Sequence, residues 1–146
     1  MAARSPLTYT FYIAATPEKV WEGFTSVDSN RLIFMGAELK ADLRPGGEIA
    51  WIGPGKDGGI IRYVYGKVLQ SDPPKILQYT FATTQSEKFS RATVELTPET
   101  EATKVVVTHD EWAEDDPNYD FCRDGWPWIL SRLKTLIETG KTFKPH

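Results

Sequence analysis

Hydrophobic and polar residues alternate along most of this chain, and apolar residues recur at helical spacing in only three segments. Alternation with a period of two is typical of β-strands that bury one face. It predicts strands at Leu7–Ala14, Ala37–Leu43, Glu48–Ile52, Ile60–Gln70, Ile76–Thr83, Phe89–Leu96 and Thr103–Trp112. Gly66 lies inside the fourth of these strands, where a residue without a side chain indicates a bend or a bulge.

Two short helices are predicted between the first and second strands. The first is expected to run from Pro17 to about Thr25, with Thr16 as its N-cap. Proline suits the first helical position because the N–H that it lacks would have no partner there. The second helix is expected to follow directly, and its predicted caps and apolar positions are Asp28, Ser29, Leu32, Phe34 and Met35.

A long amphipathic helix is predicted near the end of the chain. Its apolar stripe has the spacing i, i+4, i+7 and i+11 and consists of Trp126, Leu130, Leu133 and Ile137. Gly140 is suited to end the helix, whereas Arg132 is expected on the opposite, polar side. Pro127 indicates an irregular first turn, so Cys122 is expected in the loop or turn before the helix.

The links between the later strands have the length of hairpins, which predicts an antiparallel sheet. An antiparallel sheet of six or seven strands has one apolar face to cover, and only the final helix is large enough to cover it. The sequence therefore predicts an α+β fold in which a curved sheet wraps around that helix. Since such a sheet does not close perfectly, a cavity is expected between the two.

Length and charge narrow the class of protein. A chain of 146 residues predicts a single domain over residues 1–146. The net charge of −3 argues against nucleic acid and anionic membranes as partners. One cysteine excludes an internal disulfide, and no apolar run approaches the length of a membrane span, so a cytoplasmic protein is expected. The acidic residues between 110 and 124 lack the glycine-punctuated pattern of a calcium loop, so neither a metal nor a cofactor is predicted.

Aromatic residues make up 12% of the chain, an unusually high fraction that includes five tryptophans. They are expected either to pack in the core or to line the cavity. The residues predicted to line it lie on the inward face of the sheet or on the final helix, together with one from the first helix. They are Phe24, Trp51, Tyr79, Phe81, His109, Glu111, Trp126 and Ile129.

Two questions about these residues stay open at the level of sequence. Tyr79 could offer its hydroxyl to a ligand or could take part in cross-strand packing. His109 and Glu111 lie two residues apart on one strand and could act as acid and base. Alternatively, the histidine is satisfied by a backbone carbonyl and the carboxylate lies in solvent.

The chain resembles the homologues of the heat-shock-protein-90 ATPase activator, in particular their bacterial single-domain branch. This family belongs to the START-like and birch-pollen-allergen superfamily, whose members share the helix-grip fold. The resemblance covers about Tyr9 to Gly140. The segments that carry it are Pro17-Glu18-Lys19-Val20-Trp21, Arg44-Pro45-Gly46-Gly47, Gly66-Lys67-Val68, Asp72-Pro73-Pro74, Thr103, His109, Gly125-Trp126-Pro127, Leu130, Leu133-Lys134 and Leu136 to Gly140.

The resemblance implies a helix-grip domain and three kinds of function. The wider superfamily binds hydrophobic small molecules, which is the function that we expect first. The family name implies a protein-interaction module that stimulates a chaperone ATPase. Distant relatives that are cyclases or hydratases imply an enzyme, in which His109 and Glu111 would be the acid–base groups. The family supplies no catalytic residue that can be transferred to this chain, and a homodimer remains an alternative.

Overall fold

The computed structural model describes residues 4–34 and 36–143. Seven strands and three helices follow one another within them. They are β1 (Leu7–Ile13), α1 (Pro17–Thr25), α2 (Val27–Ile33), β2 (Glu38–Ala41), β3 (Glu48–Pro54), β4 (Ile60–Asp72), β5 (Ile76–Thr83), β6 (Ser86–Glu99), β7 (Ala102–Asp110) and α3 (Asn118–Thr139). The predicted succession of one strand, two short helices, six strands and a long helix is confirmed.

The strands form one curved antiparallel sheet with the order β1-β7-β6-β5-β4-β3-β2. Strands β2 to β7 form a meander, in which each strand pairs with the next in the chain. Strand β1 instead pairs with the last strand, so that Leu7 lies opposite His109 and Ile13 lies opposite Thr103. With α3 on the apolar face of this sheet, the helix-grip α+β fold predicted from the sequence is confirmed.

The core lies between the sheet and α3, and the alternation of the strands determines which residues enter it. Along β7, the side chains of Thr103, Val105, Val107 and His109 are fully buried, whereas the residues between them are partly exposed. From the helix, Leu130 and Leu133 are fully buried against the sheet, as the predicted stripe requires. None of the three described helices combines the length and the hydropathy that crossing a bilayer requires.

The N-cap of α2 differs from the prediction. Ser26 caps the helix, and its hydroxyl accepts a hydrogen bond from the backbone N–H of Ser29 at 3.1 Å. The same residue ends α1, so one extended residue separates the two helices, and no room is left for a cap at residue 28 or 29. Phe34 is the C-cap, and Met35, the last predicted position, lies outside the described residues.

Helix α3 begins well before the predicted position, at Asn118, so that Cys122 lies inside the helix and not in a loop before it. Pro127 is an interior residue of the helix and not part of its first turn. A proline in this position removes the hydrogen bond to the carbonyl four residues earlier, which is that of Arg123. The hydroxyl of Tyr9 donates a hydrogen bond to this carbonyl at 2.9 Å. A side chain of β1 thus satisfies the acceptor that the proline leaves unpaired.

Alternation alone does not decide which face of β4 is interior, and the structure shows that this face carries valines. Val68 is fully buried and Val64 packs on the core, whereas Tyr65 lies on the outer face against Phe89 and Arg62. Gly66 allows close contact between β4 and β5, because a Cβ atom added there would lie 1.8 Å from the carbonyl oxygen of Thr80. The pairing of these strands shifts register just beyond it, between Val68 and Gln70.

This close contact predicts that Gly66→Ala destabilises the protein by about 1–3 kcal/mol, the usual cost of overpacking a well-packed site. Gly125→Ala is the matched control, since an added Cβ at this position in α3 meets nothing within 4 Å. The control is expected to be neutral or to gain up to about 1 kcal/mol, because alanine favours helices over glycine. Urea denaturation of both variants and the wild type measures the difference. Equal stability of the two variants would contradict the close-contact interpretation of Gly66.

Candidate ligand cavity

A cavity of about 750 Å³ lies between the open end of the sheet, the segment after α2 and the first half of α3. Its wall is mostly apolar and aromatic. The residues that line it are Ile33, Phe34, Gly36, Ala37, Trp51, Gly53, Pro54, Tyr63, Val64, Tyr79, Phe81, Phe121, Cys122, Asp124, Gly125, Trp126, Trp128, Ile129 and Arg132. This volume lies within the range of roughly 300–1,000 Å³ that is typical of small-molecule sites.

The α3 wall is built from two neighbouring rows of side chains. Residues 121, 125, 128 and 132 follow the i, i+4, i+7, i+11 spacing of one helix face, and residues 122, 126 and 129 form the row beside it. The part of the predicted apolar stripe that follows Trp126 packs on the core. The cavity borders the neighbouring face of α3. Gly125 leaves this wall recessed, since nothing lies within 4 Å of its Cβ position.

On the sheet side, the wall is a row of aromatic rings in contact. The centroid of the Trp51 ring lies 5.2 Å from that of Phe34 and 5.7 Å from that of Tyr79. The indole N–H of Trp51 donates a hydrogen bond at 2.8 Å to the side-chain oxygen of the buried residue Asn30. The Asn30 amide in turn donates to the carbonyl oxygens of Phe24 and Ser26. These contacts hold the Trp51 ring in one orientation.

Five of the eight predicted residues line this cavity, namely Trp51, Tyr79, Phe81, Trp126 and Ile129. Phe24 borders a separate void of only about 20 Å³ beneath Trp51, where the interior is nearly filled. His109 is fully buried behind the wall and lines neither space. Glu111 lies outside the cavity, with a side chain that is 65% exposed and 3.5 Å from Arg91.

His109 is the centre of a buried hydrogen-bond network that joins β7 to β6 and α3. The indole N–H of Trp126 donates to its Nδ1 at 3.0 Å, so this nitrogen is an acceptor. The proton therefore lies on Nε2, which is 2.7 Å from the hydroxyl of Ser90. That hydroxyl donates onward to the carbonyl oxygen of Phe81. The partners of the ring are thus a hydroxyl and an indole, not the backbone carbonyl that the sequence suggested.

Burial, only slightly offset by the charge of Asp110, lowers the pKa of His109 to about 3, so the ring is neutral at physiological pH. Trp112 stacks on it with a centroid distance of 4.1 Å, and Phe81 contacts its edge at 4.8 Å. Glu111 does not share this environment. Its backbone adopts a positive φ of 60°, which ends the alternation of β7 at His109 and turns the chain outward. The two residues therefore do not form an acid–base pair.

Few polar groups face the cavity. Tyr79 contributes a hydroxyl that has no hydrogen-bond partner among the described residues, and burial raises the pKa of this phenol. Burial also raises the pKa of the Cys122 thiol to about 12, so the group is a neutral thiol at physiological pH. Asp124 lies at the solvent side, where its side chain is 75% exposed and pairs with Arg123 at 3.2 Å.

Arg132 is the one lining residue whose environment contradicts the prediction outright, since it is 5% exposed and not on a polar outer face. Its guanidinium donates to the carbonyl oxygens of Leu32 and Phe143 and lies over the Phe143 ring at 5.6 Å. No carboxylate within residues 4–34 and 36–143 pairs with it, and its Nε is buried without a hydrogen-bond partner. Desolvation lowers the pKa of this guanidinium, which nevertheless stays charged.

The first two turns of α3 supply four of the lining residues that the sequence did not identify, because the helix was expected to begin near Pro127. Phe121, Cys122, Asp124 and Gly125 belong to this part. A signal was present: extending the helical spacing backwards from Trp126 reaches Cys122. The lining residues around α2, Phe34, Gly36 and Ala37, carried no comparable signal, because their place depends on how α2 packs against the sheet.

Comparison with known proteins identifies the family to which this chain belongs. The model of the family "Activator of Hsp90 ATPase homolog 1-like protein" matches residues 14–138. The chain therefore belongs to this family, and the resemblance stated from its sequence is confirmed. No curated protein matches the chain significantly.

Solved structures with the same START-like fold are similar over most of the chain. The Aha1 dimer from Colwellia psychrerythraea is 23% identical with a TM-score of 0.75, covering 94% of this chain and 99% of that one. PFC0360w, an HSP90 activator from Plasmodium falciparum, is 18% identical with a TM-score of 0.74, covering 90% and 95%. CalU16 from Micromonospora echinospora is 22% identical with a TM-score of 0.71, covering 92% and 77%. At these identities, the similarity establishes the fold alone.

The buried, neutral His109 predicts how stability depends on pH. Because its pKa is lower in the folded chain than its value near 6.5 in the unfolded chain, stability falls as the pH drops from 6.5 toward 3. When the pH is lowered from 7.5 to 5, the free energy of unfolding of the wild type is expected to decrease by about 2 kcal/mol because of this residue. Urea denaturation across this range is expected to show the loss, which His109→Gln should abolish, since glutamine can accept from Trp126 without titrating.

A second measurement does not depend on the variant. In the wild type, the His109 ring resonances are expected to show no titration between pH 8 and pH 5 by NMR. A midpoint near 6.5 would contradict the buried network.

Proposed function

We propose that this protein is a binding domain for a hydrophobic small molecule, which would occupy the cavity between the sheet and α3. The observation that carries the proposal is the cavity itself, about 750 Å³ in volume and lined mainly by apolar and aromatic side chains. Such a site, with a few polar groups on an otherwise apolar wall, is the usual form of a small-molecule pocket. Tyr79, Phe81, Trp126 and Ile129 would contact the ligand.

The rigidity of the wall supports this proposal. Trp51 and Trp126 both line the cavity, and the indole N–H of each donates a hydrogen bond to a buried side chain behind the wall. These rings cannot turn into the empty space without losing buried hydrogen bonds. A preformed apolar cavity binds its ligand without first having to order its own walls.

A role toward a chaperone is a second candidate, and the family membership favours it. One solved relative is an HSP90 activator, and another is an Aha1 dimer. The second of these relatives also supports a homodimer as a candidate for the present protein. Phe121 at the cavity mouth is 64% exposed and would suit contact with a protein. An ATPase assay with the chaperone of the same organism would test this role. If an excess of the present protein does not stimulate the ATPase rate of the chaperone, this role is excluded.

The structure gives no comparable support to a cyclase or hydratase function that uses His109 and Glu111. Both nitrogens of His109 are engaged in hydrogen bonds, and the ring is fully buried behind the cavity wall. Glu111 lies in solvent and pairs with Arg91. A general base must reach the proton that it removes, and these two residues do not meet at a common site.

A variant that fills the cavity tests the binding function directly. Gly125→Leu is expected to place a side chain into open space without a clash, since no atom lies within 4 Å of the added Cβ. The variant should keep the wild-type circular dichroism and should melt no lower than the wild type. Its affinity for N-phenyl-1-naphthylamine, a neutral fluorescent probe, should fall at least about tenfold, because the leucine occupies the volume that the probe would contact.

Gly125→Ala serves as the matched control and should bind the probe within about twofold of the wild type. Unchanged binding by the folded Gly125→Leu variant would mean that the probe binds elsewhere. No binding by the wild type at any accessible concentration would contradict the proposed function itself.

A further inference from the structure

One residue of the cavity wall is a buried cation. Arg132 lines the cavity, is 5% exposed, and has no carboxylate partner among the described residues. We propose that Arg132 binds an anionic group of the ligand, so that the cavity takes an apolar carboxylic acid in preference to the neutral compound of the same shape. This inference rests on the proposed binding function and assigns the chemical class of its ligand.

The hydrogen bonds that Arg132 makes leave its charge uncompensated. Two of its nitrogens donate to backbone carbonyl oxygens, those of Leu32 and Phe143. Carbonyl oxygens satisfy donors but carry no net negative charge. Each of these two nitrogens carries a second N–H, so the guanidinium retains donor capacity next to the cavity. A carboxylate would supply the missing negative charge and would accept hydrogen bonds from these N–H groups.

Burial of an unpaired charge is costly, and buried cations in proteins are therefore usually paired with an anion. Two other arginines of this chain do have a carboxylate partner. Arg91 pairs with Asp110 at 2.9 Å, and Arg44 pairs with Asp42 at 2.8 Å, although both are more exposed than Arg132. The most buried of these guanidinium groups is the one without a carboxylate. This contrast indicates that its counter-ion comes from outside the described chain.

The charge distribution along α3 favours an anion at the buried end of the cavity. The only other charged lining residue is Asp124, within the part of the chain that the structure describes. It precedes Arg132 by eight residues, or roughly 12 Å of helix, and its charge is compensated by Arg123 in solvent. A single cation in an apolar site suits a monoanion, because a dianion such as a phosphate monoester would need further positive charge.

The experiment compares dodecanoate with dodecan-1-ol, which share an alkyl chain and differ in charge. Each is used to displace N-phenyl-1-naphthylamine from the wild type at pH 7.5, with dodecanoate below its critical micelle concentration and dodecan-1-ol below its solubility limit. Dodecanoate is expected to bind at least about tenfold more tightly than the alcohol, as a hydrogen bond to a charged group implies. Arg132→Gln should reduce this preference to within about twofold, chiefly by weakening the binding of the acid.

Arg123→Gln is the matched control, since it removes a cation from the same helix but from a side chain that is half exposed and does not line the cavity. This control should keep the preference for the acid. If the wild type binds both compounds equally, the anionic anchor is overturned and the binding function stands. If it binds neither compound nor the fluorescent probe, both proposals fail.

A spectroscopic measurement on the wild type covers the case in which Arg132→Gln fails to fold after losing its contacts to Leu32 and Phe143. The Nε–H resonance of Arg132 is expected to shift when dodecanoate is added and to stay in place when dodecan-1-ol is added. Displacement of the fluorescent probe by dodecanoate with no shift of this resonance would overturn the assignment of Arg132 as the anchor.

Discussion

The hydrogen bond between the Trp126 indole and the His109 ring is the contact on which the arrangement of helix and sheet depends. It joins α3 to β7 inside the core, where Trp112 and Phe81 enclose the imidazole and Ser90 holds its other nitrogen. Buried polar groups are costly when unpaired, so the network specifies one depth and one rotation of the helix. Beyond Trp126, the helix packs directly on the sheet through Leu130 and Leu133. The cavity lies beside this contact.

The length of α3 depends on a second contact, between the hydroxyl of Tyr9 and the carbonyl of Arg123. Without it, Pro127 would leave this acceptor unpaired in the middle of the helix. Because β1 supplies the donor, the helix can extend back to Asn118 and carry Cys122 and Gly125 into the cavity wall. The contact between Tyr9 and Arg123, which are more than a hundred positions apart, thus determines how many residues of α3 contribute to the cavity wall.

Alternation and turn signals were sufficient to predict the sheet, its meander and the long helix, because these depend on periods of two and 3.6 residues within local segments. They also identified five cavity residues, since Trp51, Tyr79 and Phe81 lie on inward positions of their strands. The remaining features depend on tertiary contacts. Pro127 is a local signal for a helix start, and only the Tyr9 hydroxyl overrides it. Arg132 has a charge typical of an outer face, and only the packing of α2 and residue 143 around it explains its burial.

The cavity and the excess of aromatic residues have a common physical explanation. An apolar void of this size would be expected to collapse if its wall were made of flexible side chains, because dispersion contacts favour close packing. Here the wall contains large rings that contact one another, Phe34 with Trp51 and Trp51 with Tyr79. Hydrogen bonds behind the wall hold the two indoles, so rotation into the void would leave buried groups unpaired. The same rigidity that keeps the space open leaves Arg132 at its edge without a carboxylate partner among the described residues, which is the feature on which the proposed preference for an acid depends.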